Sequence, residues 1–123
     1  MRTARIRIDG KEYPLAFSVR TMRSCTERYG SMSGVGQALE QEDEARVLDE
    51  CIWLLSVMMD AGARYQRLNG QEAQALDYDS LYDLCGMDDL VDMRTRIMET
   101  IALGTATEVN AEPGKNAEAT PAS

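Results

Sequence analysis

Apolar and polar residues alternate from the first strand-length stretch of the chain. Ile6 and Ile8 are interleaved with Arg5 and Arg7, Asp9-Gly10 interrupts, and Lys11-Glu12-Tyr13-Pro14-Leu15-Ala16-Phe17 resumes the pattern. Period-two alternation buries one face of a strand and exposes the other. Asp-Gly between two such runs is a hairpin turn, because both central residues of a type I′ turn need positive φ. Pro14 lacks a backbone donor, which places it at a sheet edge or a bulge. After Phe17 the period becomes helical. Ser18 is a good N-cap, Val19, Met22, Cys25 or Thr26, and Tyr29 fall at helical spacing, and Gly30 suits the left-handed position after a helix end. Ser31, Ser33, Gly34 and Gly36 crowd into a loop, with room for a helical turn over Gly36–Glu40.

The longest helical pattern runs from about Glu42 to Arg67, with acidic residues in its first turns to complement the helix dipole. From Cys51 to Met59 it is apolar nearly all round, broken by Ser56, so it belongs in a core or against a second chain. Asn69-Gly70 ends it and residues 71–79 read as a connection. Asp79-Ser80 caps a short helix through Leu81, Leu84 and Cys85 that stops at Gly86. Asp88 or Asp89 opens a last helix to about Leu103, with Leu90, Val91, Met93 or Arg94, Ile97, Met98 and Ile101 on its apolar side and Gly104 as its end. The fold class expected is α+β, mostly α: an N-terminal β-hairpin followed by a bundle of about four helices. The globular unit spans 1–103, hairpin 1–17 and helical body 18–103. Residues 104–123 are Ala, Thr, Glu, Asn, Pro, Gly, Lys and Ser with one Val, the composition of a disordered tail.

Composition narrows the function more than it suggests one. The 123 residues carry a net charge of −8, which argues against nucleic acid as a partner, since phosphate binding relies on clustered Lys and Arg. No run reaches the roughly 18 to 20 apolar residues of a membrane span. The basic-apolar start has no apolar h-region, so the expected location is the cytoplasm. Charge is unevenly divided: residues 1–28 hold seven basic and three acidic groups, a local +4 against −12 for the remainder. Such a division can steer one copy's N-terminal face toward another copy's acidic face. Arg5 and Arg7 are the candidate self-association residues on that face.

Histidine is absent, which removes the usual general base and the commonest metal ligand. Cys25, Cys51 and Cys85 are far apart and odd in number, so they form neither a disulfide framework nor a CxxC pair. The carboxylates Asp77, Asp79, Asp83, Asp88, Asp89 and Asp92 do not match a calcium loop. Starting from Asp77, Leu81 and Tyr82 take positions that need an oxygen ligand and a glycine. Gly34-Val35-Gly36 begins like a dinucleotide fingerprint, but Leu39 stands at its third glycine. Lys11 and Lys115 are the only lysines and neither sits in a phosphate loop. The expectation is a non-catalytic chain without metal or cofactor. Eight methionines are many for this length, and Met-rich faces suit surfaces that grip more than one shape. Trp53, Met58 and Met59 are the candidate partner surface.

The segment Ile6-Arg7-Ile8-Asp9-Gly10-Lys11-Glu12-Tyr13-Pro14-Leu15-Ala16-Phe17, with Arg20 to Gly30 behind it, resembles the tail assembly chaperones of long-tailed phages and of prophages in Gram-positive bacteria. Those proteins begin with an IDGKEY-type hairpin, continue with a helix ending in Tyr-Gly, and then turn helical. The resemblance covers the first thirty residues well and the rest in general pattern. It implies a cytoplasmic homo-oligomer that coats the tape measure protein, recruits tail tube subunits and leaves before the virion is finished. Two other classes fit the same composition: a small structural tail or head-completion protein, and a bacterial interaction or regulatory module. The family also tends to have a longer frameshifted form, and Pro113-Gly114-Lys115-Asn116 is compatible with a slippery site. The gene is then expected to carry a slippery heptamer there and an overlapping second frame. An isolated frame would remove that expectation.

Overall fold

The computed structural model describes residues 1–106. Strands β1 (Thr3–Ile8) and β2 (Lys11–Ala16) form an antiparallel hairpin in the register Thr3↔Ala16 to Ile8↔Lys11. Asp9 (φ 51°) and Gly10 (φ 82°) both lie in the left-handed region, as the Asp-Gly turn requires. Arg7 closes the turn by donating to the Gly10 carbonyl at 2.8 Å. Ala4, Ile6 and Ile8 are buried while Arg5 and Arg7 are exposed, so the alternation in β1 sorts its two faces. Pro14, Leu15 and Ala16 are all buried. Consecutive strand residues point to opposite faces, so the end of β2 is covered on both.

Five helices follow: α1 (Val19–Tyr29), α2 (Ser33–Glu40), α3 (Glu44–Leu68), α4 (Tyr78–Leu84) and α5 (Leu90–Thr105), with a 3₁₀ turn over Met87–Asp89 before the last. The chain is thus α+β and mostly helical, with one helix beyond the expected four. That helix is α2. Its Gly34 packs where a Cβ would stand 2.6 Å from the Tyr29 carbonyl oxygen, so the glycine read as a loop breaker lets two helices close up. Ser18 caps α1 by accepting from the Thr21 N–H (3.2 Å), and Gly30 ends it at φ 83°. Asp43 caps α3 from the Arg46 N–H at 3.3 Å. The α4 cap is Asp77, which accepts from the Ser80 N–H at 2.8 Å, and not the expected Asp79-Ser80. The helix starts earlier because Tyr78 belongs to it, meeting Tyr82 one turn on, edge to face at 5.2 Å.

Helix α3 is the axis, and it touches β2, α1, α2, α4 and α5. Cys51, Ile52, Leu54, Leu55, Met58, Met59, Ala61 and Ala63 are buried along it, a stripe much wider than an ordinary amphipathic face. Side chains from both strands and all five helices join them in one apolar core. The hairpin sits with β2 against α3 and β1 against α5. Two glycines permit that approach. A Cβ on Gly62 would overlap the Pro14 carbonyl, and one on Gly104 would overlap the Phe17 side chain. Gly104 therefore lies in the last turn of α5, which runs two residues past the expected end near Leu103. Residues 107–123, where most of the expected disordered tail and the Pro113–Asn116 segment fall, lie outside the described residues.

Two glycine substitutions separate close approach from helix propensity. Gly36, inside α2 with no heavy atom within 4 Å of a Cβ position, is expected to gain about 0.5–1 kcal/mol as Gly36→Ala. Gly62→Ala gains the same propensity, yet the added methyl meets backbone that cannot rotate away. We expect a net loss of about 1–3 kcal/mol. Urea denaturation followed by circular dichroism measures both, and the opposite ordering would refute the packing described.

Candidate functional site

The two methionine candidates from α3 part company with the tryptophan. Met58 and Met59 are fully buried, so neither lines a surface of the folded chain. The Met59 sulfur accepts from the Leu76 N–H at 3.2 Å, tying α3 to the segment before α4. Their assignment to a partner surface is corrected. The surplus apolar area of α3 is taken up by β2 on one side and the surrounding helices on others.

Trp53 is half-buried and committed within the fold. Its ring meets Tyr29 edge to face at 5.7 Å, and the Arg28 guanidinium carbon stands 4.5 Å from its centroid. Arg28 in turn donates to both carboxylate oxygens of Glu50, at 2.8 Å from Nε and 3.1 Å from Nη2. The Tyr29 hydroxyl donates to the same carboxylate at 2.6 Å. This cluster joins the end of α1 to the first half of α3. Hydrogen bonds from Arg28, more than the opposing burial, hold the Glu50 carboxyl below the ordinary glutamate range. Burial first, then the Glu50 hydrogen bond, pushes the Tyr29 phenol above its ordinary value. The cluster is an interhelical brace in which the carboxylate, the guanidinium and the phenol satisfy one another.

Arg5 and Arg7 are exposed, and both stand 3.8 Å from Glu12. They also line a hollow with Asp92 and Glu99 of α5. Much of the N-terminal positive charge is therefore met inside the chain. The carboxylates around α4 and α5 likewise have local work. Asp77 caps α4, Asp89 accepts from the Gly86 N–H at 2.7 Å, and Asp92 pairs with Arg96 at 3.3 Å. Among the described residues no group of three acidic or cysteine side chains is placed to hold a metal ion. Cys25 is buried, and burial pushes its thiol up to about 11, which keeps it in the unreactive form.

What sequence patterning missed is an apolar surface left over at two places. Val19, expected in the core, is 87% exposed, and Leu68 at the end of α3 is 86% exposed. Between them runs a groove of about 470 Å³ lined also by Met1, Ala61 and Tyr65, with Arg20, Arg64 and Arg67 along it. The second place is the outer face of the chain from the end of α4 into α5. There Met87 is 79%, Val91 78% and Met98 53% exposed, while Met93, Ile97 and Thr100 face the core. The helical periods expected for α1 and α5 are present. Helix α5 keeps the expected phase through Leu90, Met93, Ile97 and Ile101 but leaves Val91 and Met98 outside, whereas the phase of α1 differs. On α1 the buried residues are Thr21 and Cys25, because Thr21 also bonds back to the Ala16 carbonyl and the Ser18 hydroxyl. Phase is set by the neighbours, and the signal for it in the sequence is the surplus of apolar residues around each helix.

Comparison with protein-family models, curated proteins and solved structures finds no match to this chain.

The brace makes a pH prediction with a definite sign. A depressed carboxyl contributes stability that is complete above its unfolded value, about 4.3, and is lost as pH falls through the folded value. Glu50→Gln is expected to cost about 2–3 kcal/mol at neutral pH, since Arg28 loses its charged partner. The gap between variant and wild type should narrow as pH is lowered from 5 toward 2. A gap that stayed constant over that range in urea titrations would show that the Glu50 charge is not what binds the two helices.

Proposed function

We propose that this chain is a non-catalytic tail assembly chaperone. Copies cover the apolar helices of a tape measure protein in the host cytoplasm, then give way to tail tube subunits. The observation that carries the reading is the apolar surface on α1, α3, the 3₁₀ turn and α5, where Val19, Leu68, Met87 and Val91 stand largely in water. Exposed apolar side chains of this size, grouped and rimmed by charge, mark protein-binding faces in a soluble chain. A net charge of −8 keeps such a surface soluble before its partner arrives. The hairpin-to-helix unit at residues 3–30 supports the same reading, because it has the form that the N-terminal resemblance implies. No helix among the described residues is long and apolar enough to cross a membrane.

Co-expression with the tape measure gene from the same cluster tests this. The chain is expected to co-purify with the tape measure protein, keep it in the soluble fraction, and be missing from purified particles by mass spectrometry. Failure to co-purify, with the tape measure protein equally soluble alone, would overturn the reading. Stoichiometric presence in finished particles would replace it with a structural tail protein.

A further inference from the structure

The two leftover apolar surfaces carry opposite charge. The α1–α3 groove is lined by Arg20, Arg64 and Arg67 and by no carboxylate. Arg64 is paired with Asp60 at 2.7 Å, whereas Arg20 is exposed and has no ion-pair partner among the described residues. The other surface interleaves Leu84, Met87 and Val91 with the exposed carboxylates of Asp83, Asp88 and Asp92. Two cations stand beside it, Arg7 and Arg96, and Arg96 is paired with Asp92 at 3.3 Å.

The two surfaces also lie at opposite ends of the hairpin. The acidic one adjoins the Asp9-Gly10 turn, since Asp9, Gly10, Leu84, Asp88 and Asp92 line one hollow. The basic one adjoins Met1 and Ser18, at the strands' open end. Six residues of strand lie between, roughly 20 Å at about 3.3 Å per residue. A patch that matches a different patch on the same molecule, displaced along it, makes a head-to-tail contact and leaves a free copy of each surface at the ends.

We propose that the basic α1–α3 groove of one copy receives the acidic α4–α5 edge of the next. Val91 and Met87 enter against Val19 and Leu68, while the exposed Asp83 and Asp88 face the groove's arginines. Like Arg20, these two carboxylates have no ion-pair partner among the described residues. Apolar contact supplies the cohesion and the charged rims set the polarity and register. This deepens the chaperone reading by naming the contact between copies, and rests on it only for the expectation that copies repeat along a partner. The proposed contact uses the arginines beside the groove, whereas Arg5 and Arg7 share the one carboxylate of Glu12, 3.8 Å from each.

Sedimentation velocity over a concentration series tests it with two variants of the full chain. Leu68→Glu puts a carboxylate in the groove, and Val91→Arg puts a cation on the acidic edge. Both sites are solvent-exposed, so circular dichroism should match wild type. Wild type is expected to form complexes larger than a dimer as concentration rises. Each variant alone should associate at least about tenfold more weakly. Mixing the two should restore association, beginning with a 1:1 complex, because the Leu68→Glu copy retains its edge and the Val91→Arg copy its groove. A monomeric wild type, undiminished association of either variant, or a mixture no better than its parts would each overturn the proposal. Should association fail while the tape measure protein still co-purifies, the head-to-tail contact falls and the chaperone reading stands. Head-to-tail complexes without tape measure binding would uphold the contact and remove the chaperone reading.

Discussion

The hairpin can lie against the helical body only because two helices present no side chain where it passes. At Gly62 the backbone of β2 comes so near α3 that a Cβ would overlap the Pro14 carbonyl, and at Gly104 α5 admits Phe17 in the same way. These contacts fix the strands relative to both helices at once. With β2 on α3 and β1 on α5, the apolar side of the hairpin fills the core with Ile6, Ile8 and Leu15. A two-stranded sheet is marginal by itself in water, so its order depends on this docking. Burying each large aliphatic side chain contributes about 1.5–3 kcal/mol, and α3 alone contributes Ile52, Leu54, Leu55, Met58 and Met59 to the common core.

Filling α3 on so many sides has a consequence for the other helices. Each of α1 and α5 has one face against the core and another that nothing covers. On α5 the inward positions are Met93, Ile97 and Thr100, leaving Val91 and Met98 outside. On α1 the inward positions are Thr21 and Cys25, leaving Val19 outside. A chain that functioned alone would gain solubility by making those outer positions polar, as surface helices ordinarily do. Their apolar character is the reason for seeking the function on these faces and not in the α1–α3 brace, where Glu50, Arg28 and Tyr29 already satisfy one another.

Much of the architecture was legible in the sequence because local chemistry decided it. Asp9-Gly10 requires positive φ, Ser18 and Gly30 mark the ends of a helix, and the apolar density from Cys51 to Met59 requires a central place. Gly34 misled, because a glycine that breaks a helix and one that lets a neighbour touch it look the same in sequence. The surface was less legible than the core. Trp53, Met58 and Met59 were the natural candidates for a partner face by residue type, yet long-range packing buries Met58 and Met59 outright and Trp53 in part. Val19 reads as core by its spacing, and the fold leaves it in water beside Leu68. Arg5 and Arg7 are indeed exposed, and only the register that sets both near Glu12 shows that one carboxylate is shared between them.

A uniformly acidic chain with sticky faces would have two poor options. With little charge it would clump through those faces, and with much it would repel every copy of itself. Dividing the charge resolves the conflict through distance. At physiological salt, charges are screened beyond about 8 Å. Approaching copies therefore feel general repulsion only near contact, where orientation decides which charges meet. Groove to groove sets arginines against arginines, and edge to edge sets carboxylates against carboxylates, so both like pairings are penalised. In the proposed contact, groove to edge alone would bring opposite rims together while its apolar centre left water. Specificity on such a surface comes as much from the two pairings it forbids as from the one it favours.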